Sequence, residues 1–157
     1  MKITLLQIGE TSEKYLLEAI NIYQNRLKNY IPLSIITIPA LKNVASLKPT
    51  EIKTKEAKLI LEKIINADFV VLLDEKGKKL NSSDFASFIQ NKMNASIRNL
   101  YFVIGGAYGV DELIKTKTHF SLSLSDMTFT HQLIRLLFLE QLYRAFTILN
   151  NEKYHNY

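Results

Sequence analysis

Two runs of five apolar residues, Phe69-Val70-Val71-Leu72-Leu73 and Leu100-Tyr101-Phe102-Val103-Ile104, constrain the fold of this chain most tightly. Neither run alternates with polar residues. As strands they must be covered on both faces, which is the condition of a parallel sheet packed between helices. The remaining periodicity agrees, with strands expected at 2–8, 32–38, 68–73, 99–104 and 119–124 and helices at 11–29, 50–66, 82–94, 110–116 and 130–149. This βα repetition predicts an α/β fold, a mostly parallel sheet with helices on both faces. In the first helix, Tyr15, Leu16, Ala19, Ile20, Tyr23 and Leu27 recur at helical spacing on one face, with Thr11 or Ser12 as the cap.

The 157 residues suit one domain, 1–157, and the stretch 41–49 is a candidate flexible connection too short to link two domains. No internal repeat or low-complexity tract interrupts it. The absence of cysteine excludes a disulfide framework, a thiolate nucleophile and a thiolate metal site, and suits a reducing compartment. The N-terminus reads as a strand and not as a signal peptide. The longest nearly apolar run, Leu133 to Leu139, is broken by Arg135 and falls far short of the ~20 residues of a membrane span. A soluble protein without a membrane role is expected. A net charge of +5 fits a nucleic-acid partner, and equally a lysine-rich surface that serves solubility.

All five glycines, Gly9, Gly77, Gly105, Gly106 and Gly109, fall just beyond expected strand ends, the edge where open α/β sheets bind ligands. Any tight strand-to-helix turn favours glycine, but three within five residues suggest a place where main-chain amides meet a ligand. The cluster is not a P-loop, since no Gly-Lys-Ser/Thr follows, and it comes too late for a dinucleotide fingerprint. The second strand ends Ile38-Pro39-Ala40, with no carboxylate to hold a ribose. A nucleoside bound here is therefore expected to be read largely by backbone groups. The segment 122–131 is dense in small polar residues at the entrance to the last helix, where Thr128 and Thr130 could cap and free N–H groups could meet an anion.

The last helix is apolar nearly all round, which in a small chain calls for a second molecule, so a twofold homodimer through this C-terminal helix is expected. His131 and Arg135 lie one turn apart, as do Glu140 and Arg144, and the second pair reads first as a helical ion pair.

Three segments, Phe102 to Gly109, Leu122 to Arg135 and Glu140 to Ala145, with the ending Tyr154-His155, together resemble the RlmH family over essentially the whole chain. The resemblance implies a SPOUT methyltransferase with a C-terminal trefoil knot, a path that ordinary chain-connection rules disfavour. It implies a cytoplasmic homodimer that uses S-adenosylmethionine without a metal and methylates N3 of a pseudouridine in helix 69 of 23S ribosomal RNA, in the assembled ribosome. The cofactor contacts so implied are Leu73, Gly105, Gly106, Ser125, Asp126, Met127, Thr128, Phe129 and Thr130. Candidates to assist departure of the N3 proton are His131, Tyr154 and His155, the tail being contributed across the dimer. Arg135, Arg144, Lys76, Lys78 and Lys79 are candidates for RNA contact. The chain departs from the family after Tyr-His, where Asn156 and Tyr157 replace the usual basic residue; Tyr157 could stack on a base. Three other readings compete: a SPOUT enzyme acting on transfer RNA or a ribose hydroxyl, a non-catalytic ribosome-associated module, and a flavodoxin-like signalling domain. The last is weakened because Asp74 lacks an acidic cluster.

Overall fold

In the computed structural model, which describes residues 1–155, five strands form one all-parallel sheet in the order β2-β1-β4-β3-β5. The strands are β1 (Lys2–Ile8), β2 (Leu33–Ile38), β3 (Phe69–Lys79), β4 (Asn99–Ile104) and β5 (Phe120–Ser123). The helices are α1 (Lys14–Leu27), α2 (Pro49–Lys63), α3 (Ser82–Asn94), α4 (Glu112–Lys117) and α5 (Leu133–Leu149). Every element expected from periodicity is present. The two unalternating runs become β3 and β4, side by side in the middle of the sheet, with Val71 paired to Phe102. Both strands bury side chains on each face because each face has its own core.

Ile3, Leu5, Val71, Leu100 and Phe102 point into the larger core with α1, α3 and α5, while Leu6, Ile8, Val70, Leu72 and Val103 point into a second core with α2 and α4. The twofold period of a strand produces this division directly. Consequently α1 and α3 cover the connections that run one way across the sheet, α2 and α4 those that run the other way. All four crossovers share one hand, as twisted strands require.

Helix α1 begins later than expected. Its N-cap is Glu13, because Thr11 and Ser12 are drawn away to α5: Thr11 Oγ1 accepts from Arg135 at 2.7 Å, and the Ser12 backbone N–H donates to Gln132 at 2.9 Å. Tyr15, expected on the buried face, is 65% exposed.

Strand β3 runs past its expected end at residue 73. Residues 74–77 leave the pairing with β5, then Lys78 and Lys79 rejoin it opposite Leu122 and Ser123. Gly77 makes this possible, since a Cβ there would stand 2.7 Å from the backbone of Ser121 and Leu122. Gly77 thus serves a close chain crossing and not a ligand turn. This crossing ties the exit of β5 to the segment leading into α3, and α5 then packs against both α1 and α3.

Candidate functional site

The bulge of β3 after Leu73 lies next to the carboxyl ends of β4 and β5, and together with the loops that leave β4 and β5 it encloses a cavity of about 620 Å³. That volume lies within the usual range for small-molecule sites. Leu73 lines it from β3, Gly105, Gly106 and Gly109 from the β4–α4 loop, and Ser125, Met127, Thr128, Phe129 and His131 from the loop that enters α5. These loops are separated by about thirty and twenty residues in sequence and meet because β3 sits between β4 and β5.

Glycine is required where the β4–α4 loop turns. Gly109 has φ +79°, and its N–H closes the turn by donating to the Gly106 carbonyl at 3.0 Å. The opposite loop is held by its own side chains: the Met127 N–H donates to Ser125 Oγ at 2.9 Å and the Thr128 hydroxyl to Glu75 at 2.9 Å. Thr130 lies in the turn before α5, whose N-cap is Gln132, and its hydroxyl accepts from the Leu133 N–H at 3.2 Å. Met127 and Tyr108 remain largely exposed at the cavity, an apolar rim unusual for an idle loop.

His131 lines the cavity at the start of α5. Partial burial, aided by the nearby Arg135 guanidinium, lowers its pKa below the ordinary value, so the ring is neutral near pH 7 and can accept a proton.

Two expected cofactor contacts, Asp126 and Thr130, do not line the cavity; Asp126 instead forms an exposed ion pair with Lys79. Of the three lysines, only Lys76 lines the cavity, while Lys78 and Lys79 lie past the bulge where β3 pairs again with β5. Arg135 requires correction as an RNA contact. It is fully buried, donating to Thr11 Oγ1 and, at 2.6 Å, to the Ile8 carbonyl, so it ties the β1–α1 turn to α5. Its Nε has no partner, and burial lowers its pKa.

The tail lies elsewhere. Tyr154 and His155 do not line the cavity; they fold back along the far half of α5. The Tyr154 hydroxyl is 3.2 Å from both the Tyr23 hydroxyl and Glu140, and the Arg144 guanidinium lies over its ring at 4.8 Å. Arg144 forms the expected pair with Glu140 at 2.5 Å and approaches His155 Nδ1 at 3.3 Å. Burial, and then the contact with Tyr23, raises the pKa of Tyr154. Asn156 and Tyr157, with the stacking role considered for Tyr157, lie outside the described residues.

Sequence reading missed charged residues at the cavity, Glu75 in β3 among them. Lys53, Glu112 and Lys115 reach the cavity from α2 and α4, and Glu56 of α2 lies directly against Gly106. A carboxylate is therefore at hand, supplied by a helix and not by the end of β2. Its signal was an acid within the apolar stripe Ile52, Ala57, Ile60 and Ile64. Among the described residues, no group of three or more potential ligands could hold a metal ion, and no helix is long and apolar enough to cross a membrane.

A family model described as "Predicted SPOUT methyltransferase" matches residues 1–155. Proteins named ribosomal RNA large subunit methyltransferase H from Parabacteroides distasonis and Christiangramia forsetii are each 49% identical over 156 residues, 99% of either chain. Among solved structures, the tRNA (m1G37) methyltransferase of Aquifex aeolicus superposes with a TM-score of 0.59 at 14% identity, covering 100% of this chain and 76% of its own. A probable methyltransferase from Bordetella pertussis gives 0.58 at 9% identity, covering 92% and 96%. Likeness at such identity speaks for the fold alone.

Proposed function

The chain belongs to the SPOUT methyltransferase family and, within it, to the RlmH group, and from that premise we propose that it methylates N3 of a pseudouridine in helix 69 of 23S ribosomal RNA in the assembled ribosome, with S-adenosylmethionine as methyl donor. The observation that carries the reading is the meeting of Leu73, Gly105, Gly106 and the 125–129 loop around one cavity beside a neutral His131.

The cavity fits the donor in size, and its glycine-built wall lets a nucleoside approach main-chain amides. Leu73, Gly105, Gly106, Ser125, Met127, Thr128 and Phe129 would line the bound donor, with Asp126 and Thr130 holding the shape of the loop. The sulfonium supplies an already activated methyl group. The protein's work is then to align the nucleophilic nitrogen, exclude water and take up one proton. His131 can accept that proton, directly or through the tail.

Within one protomer the tail stands apart from the cavity, which supports a site completed by Tyr154 and His155 of a second protomer. Leu133, Leu136, Leu137 and Ile148 of α5 are only half-buried, an apolar face suited to such a twofold contact. A monomer at micromolar concentration in light scattering would overturn the homodimer. The close crossing of β3 and β5 at Gly77 supports a knotted path. We take residues 1–157 as one cytoplasmic methyltransferase domain, with Lys76 and Lys78 available to phosphates and Lys79 and Arg144 able to reach them on leaving their pairs with Asp126 and Glu140.

The test is transfer of labelled methyl from S-adenosylmethionine to intact ribosomes lacking the modification, beside isolated subunits, naked ribosomal RNA and transfer RNA, with mass spectrometry of the digested nucleosides. Methylated pseudouridine from intact ribosomes is expected. Label in transfer RNA alone would overturn the substrate.

A further inference from the structure

Glu56 occupies a place where a carboxylate is costly. It is 8% exposed, in the stripe of α2 that packs on the sheet. Among the described residues no N–H or O–H group donates to it and no cation pairs with it. Buried carboxylates normally hold several donors. Burial accordingly raises its pKa, as expected for a charge that loses part of its hydration and gains no donor in exchange.

Its position is specific. Both carboxylate oxygens press on Gly106, so closely that a Cβ on that residue would stand 2.6 Å from Oε2 and 2.7 Å from Oε1. Gly106 is itself part of the cavity wall. The other carboxylates of the cavity are already engaged: Asp74 accepts the Lys76 N–H at 3.0 Å, Glu75 the Thr128 hydroxyl at 2.9 Å, and Glu112 the Lys115 ammonium at 2.6 Å. The acceptor left without a donor is the one behind the glycine.

We propose that Glu56 is the side-chain acceptor of the methyl-donor site, its carboxylate reaching past Gly106 to receive N–H or O–H groups of bound S-adenosylmethionine. This rests on the reading of the cavity given above. The ligand carries such donors at both ends, ribose hydroxyls and an amino group on the nucleoside and an α-ammonium on the amino acid. Gly106 then has two roles, admitting the ligand on one side and the carboxylate on the other. Glu56 fixes the donor in place without touching the methyl group, so it is a positioning residue.

Calorimetric titration of the full chain and of its Glu56→Gln and Glu56→Ala variants tests this, with two probes. S-adenosylhomocysteine carries both sets of donors; methylthioadenosine carries only those of the nucleoside. Both variants should bind S-adenosylhomocysteine at least tenfold more weakly, while the unliganded Gln variant melts no lower than the parent, since it gives up a charge that had no partner. Equal weakening toward methylthioadenosine assigns the contact to the nucleoside; unchanged binding of methylthioadenosine assigns it to the ammonium. Unchanged affinity for both probes overturns the proposal and leaves the methyltransferase reading intact. A lower melting temperature for the unliganded Gln variant also overturns it, because the carboxylate would then be a brace of the fold. If the parent bound neither probe, the methyltransferase reading itself would fail.

Discussion

The two ends of α5 present opposite chemistry. At its start, His131 faces a cavity with a lowered pKa, Met127 and Tyr108 stand exposed, and Glu56 lies close by without a donor. At its far half, Tyr154, Tyr23, Glu140 and Arg144 satisfy one another in a closed network, with Tyr30 donating to Glu152 beside it at 2.7 Å. Unsatisfied groups around a cavity mark a place that awaits a ligand, whereas a satisfied network marks a place that holds a shape. The family resemblance assigns catalytic residues to both ends. Within one protomer the two ends stand apart, and the proposed homodimer would bring the tail of one protomer to the cavity of the other.

The largest expected effect breaks this division directly. Truncation after Lys153 removes the tail and should lower turnover on ribosomes by about 10²–10⁴-fold, the usual weight of proton-transfer assistance, with S-adenosylhomocysteine affinity unchanged by calorimetry. Co-refolding the truncated chain with a His131→Gln chain should restore part of the activity, because one site of the mixed dimer then has both an intact cavity and an intact tail. No recovery would mean that cavity and tail act within one chain.

Replacing His131 alone with Gln should cost about 10²-fold in turnover and change the pH profile. Since the folded pKa of His131 is depressed, the neutral, proton-accepting form persists below the ordinary value near 6.5, and the acid limb of the parent enzyme's rate should fall below that pH. The same shift makes the fold favour the neutral ring, so its contribution to stability is present above about pH 6.5 and is lost as pH falls through the depressed pKa. An acid limb that survives in the variant would assign proton uptake to another group.

The cavity end was more legible in the sequence than the tail end, for a physical reason. Strand periodicity places the elements, and glycines just past a strand end mark the Gly105–Gly109 turn as a ligand edge, while Leu73 and the 125–130 loop are grouped with it by the family resemblance. What could not be read were contacts that depend on side-chain reach across the sheet: Glu56 against Gly106, and Arg135 turned inward to Ile8 and Thr11. Arg135 on an apolar helix looked like an exposed cation in search of a phosphate. Its depth was decided by the carbonyl and hydroxyl that the β1–α1 turn happens to leave open, and the same contact displaced the cap of α1 from Thr11 or Ser12 to Glu13. Gly77 was misplaced because β3 continues after a bulge, and sequence patterning gives no sign of a strand that leaves its partner and rejoins it.

A smaller perturbation sharpens the contrast at the cavity. Gly106→Ala places a methyl group against the Glu56 carboxylate and should destabilise the fold by about 1–3 kcal/mol in denaturant titration, as overpacking does. Combining it with Glu56→Ala should recover most of that loss, since the two changes share one contact and cannot be additive. Additive losses would mean that the strain at Gly106 falls on the backbone instead.

The smallest expected effect lies in the tail network. Tyr23→Phe deletes one hydroxyl contact of Tyr154 while Glu140 still accepts from it, so stability should fall by only about 0.5–1.5 kcal/mol. The Tyr154 pKa should fall as well, because the Tyr23 contact is second only to burial in raising it. If the network exists to aim the tail, turnover should drop more than stability predicts, with donor affinity untouched. If turnover instead follows stability alone, the network is only a clasp on α5, and the two ends of the helix differ in packing and not in purpose.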